Sequence, residues 1–174
     1  MFTLQQKMFS SQNSIMCIEI SIKHQTLTLF DNFGGVKAKY SVSTAANGVG
    51  CEKDSGCTPL GQHIIRAKIG AESPANTVFV GRRPTGEIFT PELMVEFPDR
   101  DWILTRILWL SVTELGFNRQ GNVDTMQRYI YIHGSPDSVQ MGAIGSHGCV
   151  RMRNADIIEL FDLVEAGTPV LISE

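Results

Sequence analysis

The 174-residue sequence has no apolar stretch near the roughly 20 residues that a membrane-spanning helix needs. Its first thirty residues hold only the four-residue run Ile15-Met16-Cys17-Ile18 before Glu19 interrupts it. No segment there resembles the apolar core of a secretory leader. The expectation is a chain without a membrane span that stays in the cytoplasm, with a periplasmic or cell-wall location as the alternative if a leader has been lost. Positive charge is not in excess either. Fifteen basic residues against 18 acidic ones give a net charge of −3, which leaves no basic stripe to follow a phosphate backbone and excludes nucleic acid as a partner. Internal repeats, low-complexity tracts and linkers are missing. The four cysteines, Cys17, Cys51, Cys57 and Cys149, are too few for a disulfide scaffold and, without an export signal, read as reduced thiols.

What is present is the composition of a soluble globular domain, 43% hydrophobic and 19% charged. At this length one domain buries roughly 70% of the surface its unfolded form exposes. Residues 1–14 read as a loose, mostly polar arm and residues 15–174 as a single domain. Strand signals then follow closely. Ile15 to Ile22, Gln25 to Phe30 and Val36 to Val42, separated by short turns, predict an antiparallel meander. Ala45 to Pro59 is a glycine-containing loop, after which Gly61 to Lys68, Thr77 to Val80, Leu104 to Leu110 and Tyr129 to His133 supply further strands. The fold class is therefore mainly β. One amphipathic helix is expected over Ala155 to Glu165, capped by Asn154 and burying Ile157, Ile158, Phe161 and Val164, before a last strand at Thr168 to Ile172. Between Arg82 and Trp102, prolines and scattered acids break every periodicity and predict a long surface loop, either a lid or a variable insertion.

Chemistry concentrates near the end of the chain. Alternation through Tyr129-Ile130-Tyr131-Ile132-His133 turns the isoleucines to the core and leaves Tyr131 and His133 on the opposite face, with Gly134 following. Downstream, Gly145-Ser146-His147-Gly148-Cys149-Val150-Arg151-Met152 packs a histidine, a cysteine and an arginine beside glycines. A structural cysteine prefers apolar neighbours and has no need of a preceding glycine, so Cys149 fits that role poorly. Gly148 lets the backbone approach a substrate, and the N–H groups of Gly148 and Cys149 suit an oxygen that gains negative charge during acyl transfer. A nearby imidazole and Arg151 favour the thiolate over the thiol. Both His133 and His147 qualify as the base, and spacing alone does not choose between them.

Ser146-His147-Gly148-Cys149-Val150-Arg151, with Ile132-His133-Gly134 and the upstream Thr58-Pro59-Leu60-Gly61, resembles the signature of the L,D-transpeptidase (YkuD-like) catalytic domain of bacterial peptidoglycan enzymes. The resemblance covers nearly everything after the arm. It implies a β-sandwich-like fold in which a cysteine attacks the third residue of a tetrapeptide stem, expels the terminal D-alanine and holds a thioester. By position Cys149 is the nucleophile and His133 the base, oriented by the Gly134 carbonyl, with His147 a second histidine lining the site. Gly148 and Cys149 supply the oxyanion hole, and Arg151, Ser146 and Tyr131 contact substrate or order the site. Many members carry asparagine where Arg151 stands, a departure that touches donor binding. The implied partners are stem peptides or muropeptides, with carbapenem-type β-lactams as covalent inhibitors, and no cofactor is implied. A minimal member of this kind resembles relatives that trim recycled tetrapeptides to tripeptides as L,D-carboxypeptidases; formation of 3-3 cross-links or D-amino-acid exchange is the alternative.

Two rival readings compete with this one. His133, His147, Cys149 and His63 could gather around zinc, but the H-x-C spacing is not a usual zinc knuckle, so no metal is expected. A non-catalytic stem-peptide-binding module would have no use for a nucleophile. Cys17, His24, His63 and Trp109 default to structural roles, and Cys51 and Cys57 to incidental thiols.

Overall fold

The computed structural model describes residues 15–50, 54–113 and 130–174; the predicted arm, Cys51 and Tyr129 lie outside them. The meander forms as the alternation requires. In β1 (Cys17–Ser21) Ile18 and Ile20 are buried, and in β2 (Thr26–Phe30) Leu27 and Leu29 meet them while Thr26 and Thr28 face outward. The turn into β3 (Val36–Ser41) is set by Asp31, whose Oδ1 accepts the N–H groups of Phe33 and Gly35 at 2.8 and 2.9 Å.

The remaining strands are β4 (Gly61–Ile69), β5 (Thr77–Val80), β6 (Arg83–Ile88), β7 (Ile103–Val112), β8 (Tyr131–Ser135), β9 (Val150–Arg153) and β10 (Pro169–Ser173). All ten belong to one sheet, in the order β3-β2-β1-β10-β4-β7-β5-β6, with β8 on the other edge of β7 and β9 beside β8. The β1–β10 and β8–β9 pairs are parallel, and the other strand pairs are antiparallel. The sheet curls until its ends meet. Just after β3, the Ser43 N–H donates to the Arg151 carbonyl at 2.9 Å and the Arg151 N–H returns to the Ser43 carbonyl at 2.8 Å, joining β9 to the first meander. One core therefore gathers Ile18, Leu27, Leu108, Ile132 and Met152 from strands far apart in the sheet order. Helix α2 (Asn154–Leu163) fills this core with Ile157, Leu160 and Phe161, each contributing about 1.5–3 kcal/mol through its burial.

Two expectations are corrected here. Asn154 does not cap α2. Arg153 takes the cap position, no side chain caps it, and Asn154 is the first helical residue, its carboxamide engaged elsewhere. The 82–102 stretch is not a featureless loop, because it holds β6 and the short helix α1 (Pro91–Glu96). Nearly all of β6 is exposed and it contains Pro84, as suits a sheet edge, so it lacked the apolar alternation that marks a strand. The stretch is pinned rather than loose. Phe89 and Leu93 pack on Val78, Trp102 and Leu104, and Arg100 forks onto Glu87 at 2.7 and 3.2 Å while lying 4.5 Å over the Trp102 ring.

Candidate active site

Strand parity places the chemistry on one face of the β8–β9 pair. Ile132, Val150 and Met152 are buried in the main core, so Tyr131, His133, Cys149 and Arg151 point to the opposite side. His133 stands beside Arg151 in the register, and Cys149 comes one residue before β9 next to Tyr131. The Tyr131 N–H donates to Cys149 Sγ at 3.4 Å. Cys149 is half-buried and packs on Phe79, Ile107 and Tyr131, an apolar wall distinct from the main core.

The His133 ring is fully buried. Its Nδ1 lies 2.6 Å from the Gly134 carbonyl oxygen. A carbonyl can only accept, so Nδ1 carries the proton and Nε2 of the neutral ring is the lone-pair nitrogen. That nitrogen is buried and has no hydrogen-bond partner among the described residues. Burial pushes the imidazole below its ordinary value of 6.5; the Gly134 bond and the charge of Asp101 oppose the shift without cancelling it, and Arg151 adds to it. At neutral pH His133 is an uncharged base with its accepting nitrogen undersatisfied.

The segment leading to Cys149 is held by its own groups. Ser146 Oγ donates to the Cys149 carbonyl at 2.5 Å and accepts the Gly148 N–H at 3.2 Å. Thr58 Oγ1 accepts the Ala45 N–H and donates to the Gly148 carbonyl, both at 3.0 Å, so the upstream Thr58-Pro59 motif buttresses the loop that carries Cys149. Gly148 has φ +130°, and a Cβ there would stand 3.2 Å from Ile130 Cδ1 and 3.3 Å from the Cys57 carbonyl. Glycine is required on both counts. Of the two amides expected to face an oxyanion, that of Gly148 is bonded to Ser146.

The two histidines separate clearly. His147 is 76% exposed and sits on the rim, its Nδ1 3.7 Å from Asp101 Oδ1. Arg151, expected to order the site or hold a substrate carboxylate, bonds Asp101 Oδ1 at 2.9 Å and the Gly145 carbonyl at 2.9 Å. Burial acts against ionisation of Asp101, but in the acid range where the carboxyl titrates the charge of protonated His133, the hydrogen bond and charge of Arg151, and the charge of His147 together hold it below the ordinary value. Asp101 is the residue sequence reasoning missed. It lay among the scattered acids before Trp102, and its partner is 50 positions away. A cavity of about 310 Å³ opens beside this group, lined by Met94, Trp102, Pro136, Gly145, His147 and Arg151. Tyr131 keeps its hydroxyl on Arg82 Nη1 at 3.1 Å, and that guanidinium lies 4.2 Å over the Trp109 ring.

Other expected residues lie apart. His63 is buried in β4 with Nδ1 2.9 Å from the Gly61 carbonyl, and among the described residues no three His, Cys, Asp or Glu side chains converge as metal ligands. Cys17 is buried in β1, where burial and the charge of Glu19 push its thiol up. Cys57 directs Sγ at the Asn47 and Ser55 carbonyls, at 3.4 and 3.6 Å. No helix among the described residues is long and apolar enough to cross a membrane.

Comparison with known proteins gives concordant results. The family model described as the L,D-transpeptidase catalytic domain matches residues 16–172. The Bacillus subtilis (strain 168) protein YqjB is 37% identical over 65 residues, covering 37% of this chain and 35% of YqjB. Among solved structures, L,D-transpeptidase 3 from Mycobacterium tuberculosis with a faropenem-derived adduct aligns with TM-score 0.56 and 16% identity over 91% of this chain and 61% of its own. The L,D-transpeptidase LdtMt1 in complex with imipenem aligns with TM-score 0.55 and 22% identity over 92% of this chain and 59% of its own. The chain thus spans about a third of the curated relative and under two thirds of these structures. They share its mainly-β fold.

Proposed function

The chain belongs to the L,D-transpeptidase catalytic domain family, and from that premise we propose that it is a cysteine acyl-enzyme acting on peptidoglycan tetrapeptide stems. The observation that carries the reading is the neutral, fully buried His133, its Nδ1 proton committed to Gly134 and its Nε2 without a hydrogen-bond partner among the described residues, on the same sheet face as Cys149. In this reaction His133 Nε2 takes the Cys149 thiol proton, and sulfur attacks the carbonyl carbon of the stem's third residue, where it joins the terminal D-alanine. The C–N bond breaks, the proton passes from His133 to the departing amine of D-alanine, and the peptide remains on sulfur as a thioester. Main-chain amides of Gly148 and Cys149 stabilise the oxyanion. The Gly148 N–H exchanges Ser146 for the substrate oxygen, a swap favoured by the length of that 3.2 Å bond. His147, exposed on the rim, contacts substrate rather than the thiol proton.

Trimming is the outcome we propose for the second step. Water attacks the thioester, releases the tripeptide carboxylate and restores the thiol, and it needs no second peptide site to reach a half-buried sulfur. Transfer to an amine is the second reading, favoured by the activity named for the structural neighbours. Incubation with a disaccharide tetrapeptide, with and without D-methionine, followed by mass spectrometry tests both. Loss of one alanine alone supports trimming, whereas a D-methionine-exchanged product or a dimer supports transfer. An unchanged substrate, with no adduct on Cys149 after exposure to imipenem, would overturn the acyl-enzyme reading and favour a binding module.

A further inference from the structure

Behind His133 lies a closed ring of polar contacts that the reaction itself does not use. Thr105 Oγ1 donates to Asn154 Oδ1 at 2.6 Å and accepts the Asn76 N–H at 3.0 Å. Asn154 Nδ2 closes the ring on Asn76 Oδ1 at 2.8 Å. The three residues come from β7, the first turn of α2 and the turn before β5, with sequence separations of 29, 49 and 78. Thr105 is fully buried and holds φ +72°, a conformation unfavourable to a β-branched residue, within the bulge between Leu104 and Ile107 that faces Gly134 and His133. Asn76 also has positive φ, +66°.

The ring bears directly on Gly134. A Cβ built there would collide with Asn154 Oδ1, and would stand 2.6 Å from the Leu104 carbonyl and 3.1 Å from Thr105 Cβ. The space a side chain at 134 would occupy is taken by Asn154 and the bulge. Gly134 is also the residue whose carbonyl receives the His133 Nδ1 proton. We infer that Thr105, Asn154 and Asn76 are positioning residues that fix the Gly134 carbonyl and so select the His133 tautomer with Nε2 open for the thiol. The inference rests on the reading of His133 as the base. It also explains why Asn154 leaves the cap position of α2 unfilled, since its carboxamide holds the ring together.

The test separates hydroxyl from shape. Thr105→Val keeps the β-branched outline and removes both hydrogen bonds, Thr105→Ser keeps the hydroxyl, and Asn76→Gly suits the positive φ while freeing Asn154 Nδ2. Nitrogen-15 NMR of the His133 ring reads the tautomer, and tetrapeptide turnover reads the consequence. Thr105→Val is expected to mix the Nδ1–H and Nε2–H forms and to lower kcat about 10- to 100-fold with KM little changed, as small misplacements of a catalytic group do. Thr105→Ser should restore both readouts, and Asn76→Gly should move them in the same direction by less. A pure Nδ1–H tautomer in folded Thr105→Val and Asn76→Gly would overturn the inference. Should Thr105→Val not fold, Asn76→Gly alone decides between the same two outcomes. A shifted tautomer without loss of turnover would uphold the positioning role and remove His133 from the base assignment instead.

Discussion

Asp101 Oδ1 and Arg151 Nη2 meet at 2.9 Å, an arginine only 14% exposed against a carboxylate 39% exposed, at the mouth of the site and beside His147. The pair ties the 82–102 stretch to β9, the strand that follows Cys149. Arg151 is thereby a structural anchor, bonded to Asp101 and to the Gly145 carbonyl.

Replacing Asp101 with Asn leaves the Arg151 charge without its counterion and, since solvent screens a carboxylate this exposed, is expected to cost about 1 kcal/mol of stability at pH 7. The sign with pH follows from the depressed carboxyl. Its contribution is complete above the unfolded value near 3.9 and is lost as pH falls through the lower folded value. Thermal melts of wild type and Asp101→Asn should therefore differ at pH 7 and converge in strong acid; a constant gap across that range would contradict the assignment.

His133 is lowered by burial, which has two consequences. The folded state resists protonation that the unfolded chain accepts near 6.5, so stability is full above that pH and declines as pH falls from there toward the folded value. Activity should persist through the same window, because the base stays neutral. A pH profile of kcat/KM with its acid limb below 6.5 is the expected result.

Histidine roles can be separated by substitution. His133→Ala is expected to lower turnover by about 10²–10⁴-fold, while His147→Ala, on an exposed residue, should cost less than about tenfold. Steady-state turnover of a tetrapeptide, with circular dichroism to confirm folding, makes the comparison; a reversed order would transfer the base to His147.

Gly134→Ala forces a methyl group against Asn154 Oδ1 and the Leu104 carbonyl. Overpacking of this kind costs about 1–3 kcal/mol, seen as a drop of roughly 3–10 °C in Tm. A melting temperature equal to wild type would show that the bulge gives way freely.

Cys149→Ala should abolish the mass adduct expected with imipenem while leaving the melting temperature close to wild type. Intact-protein mass spectrometry reads the adduct, and labelling at Cys17 or Cys57 instead would point away from Cys149 as the nucleophile.

Much of this architecture was legible because it is periodic. The alternation Ile130, Tyr131, Ile132, His133 fixed which face of β8 carries the imidazole, and Leu27 and Leu29 against Ile18 and Ile20 fixed the meander. The elements that escaped had little period to show. β9 alternates over only four residues, too short a run to mark a strand, β6 is almost wholly exposed, and α1 has six residues begun by a proline. Long-range polar pairing was equally silent. Asn154 reads as a cap because caps are local, whereas its actual partners, Asn76 and Thr105, are 78 and 49 positions away. The same holds for Asp101 and Arg151, whose charges are ordinary until the chain brings them together.

The reciprocal hydrogen bonds between Ser43 and Arg151 make the strand after Cys149 depend on a meander laid down more than a hundred residues earlier. Contacts of such long sequence separation form late and slowly. A clipped chain lacking its first three strands would leave β9 with an open edge and Cys149, just before it, in a loosely held turn. Competence of this protein is thus a property of the fully wound sheet, gained when its two ends join.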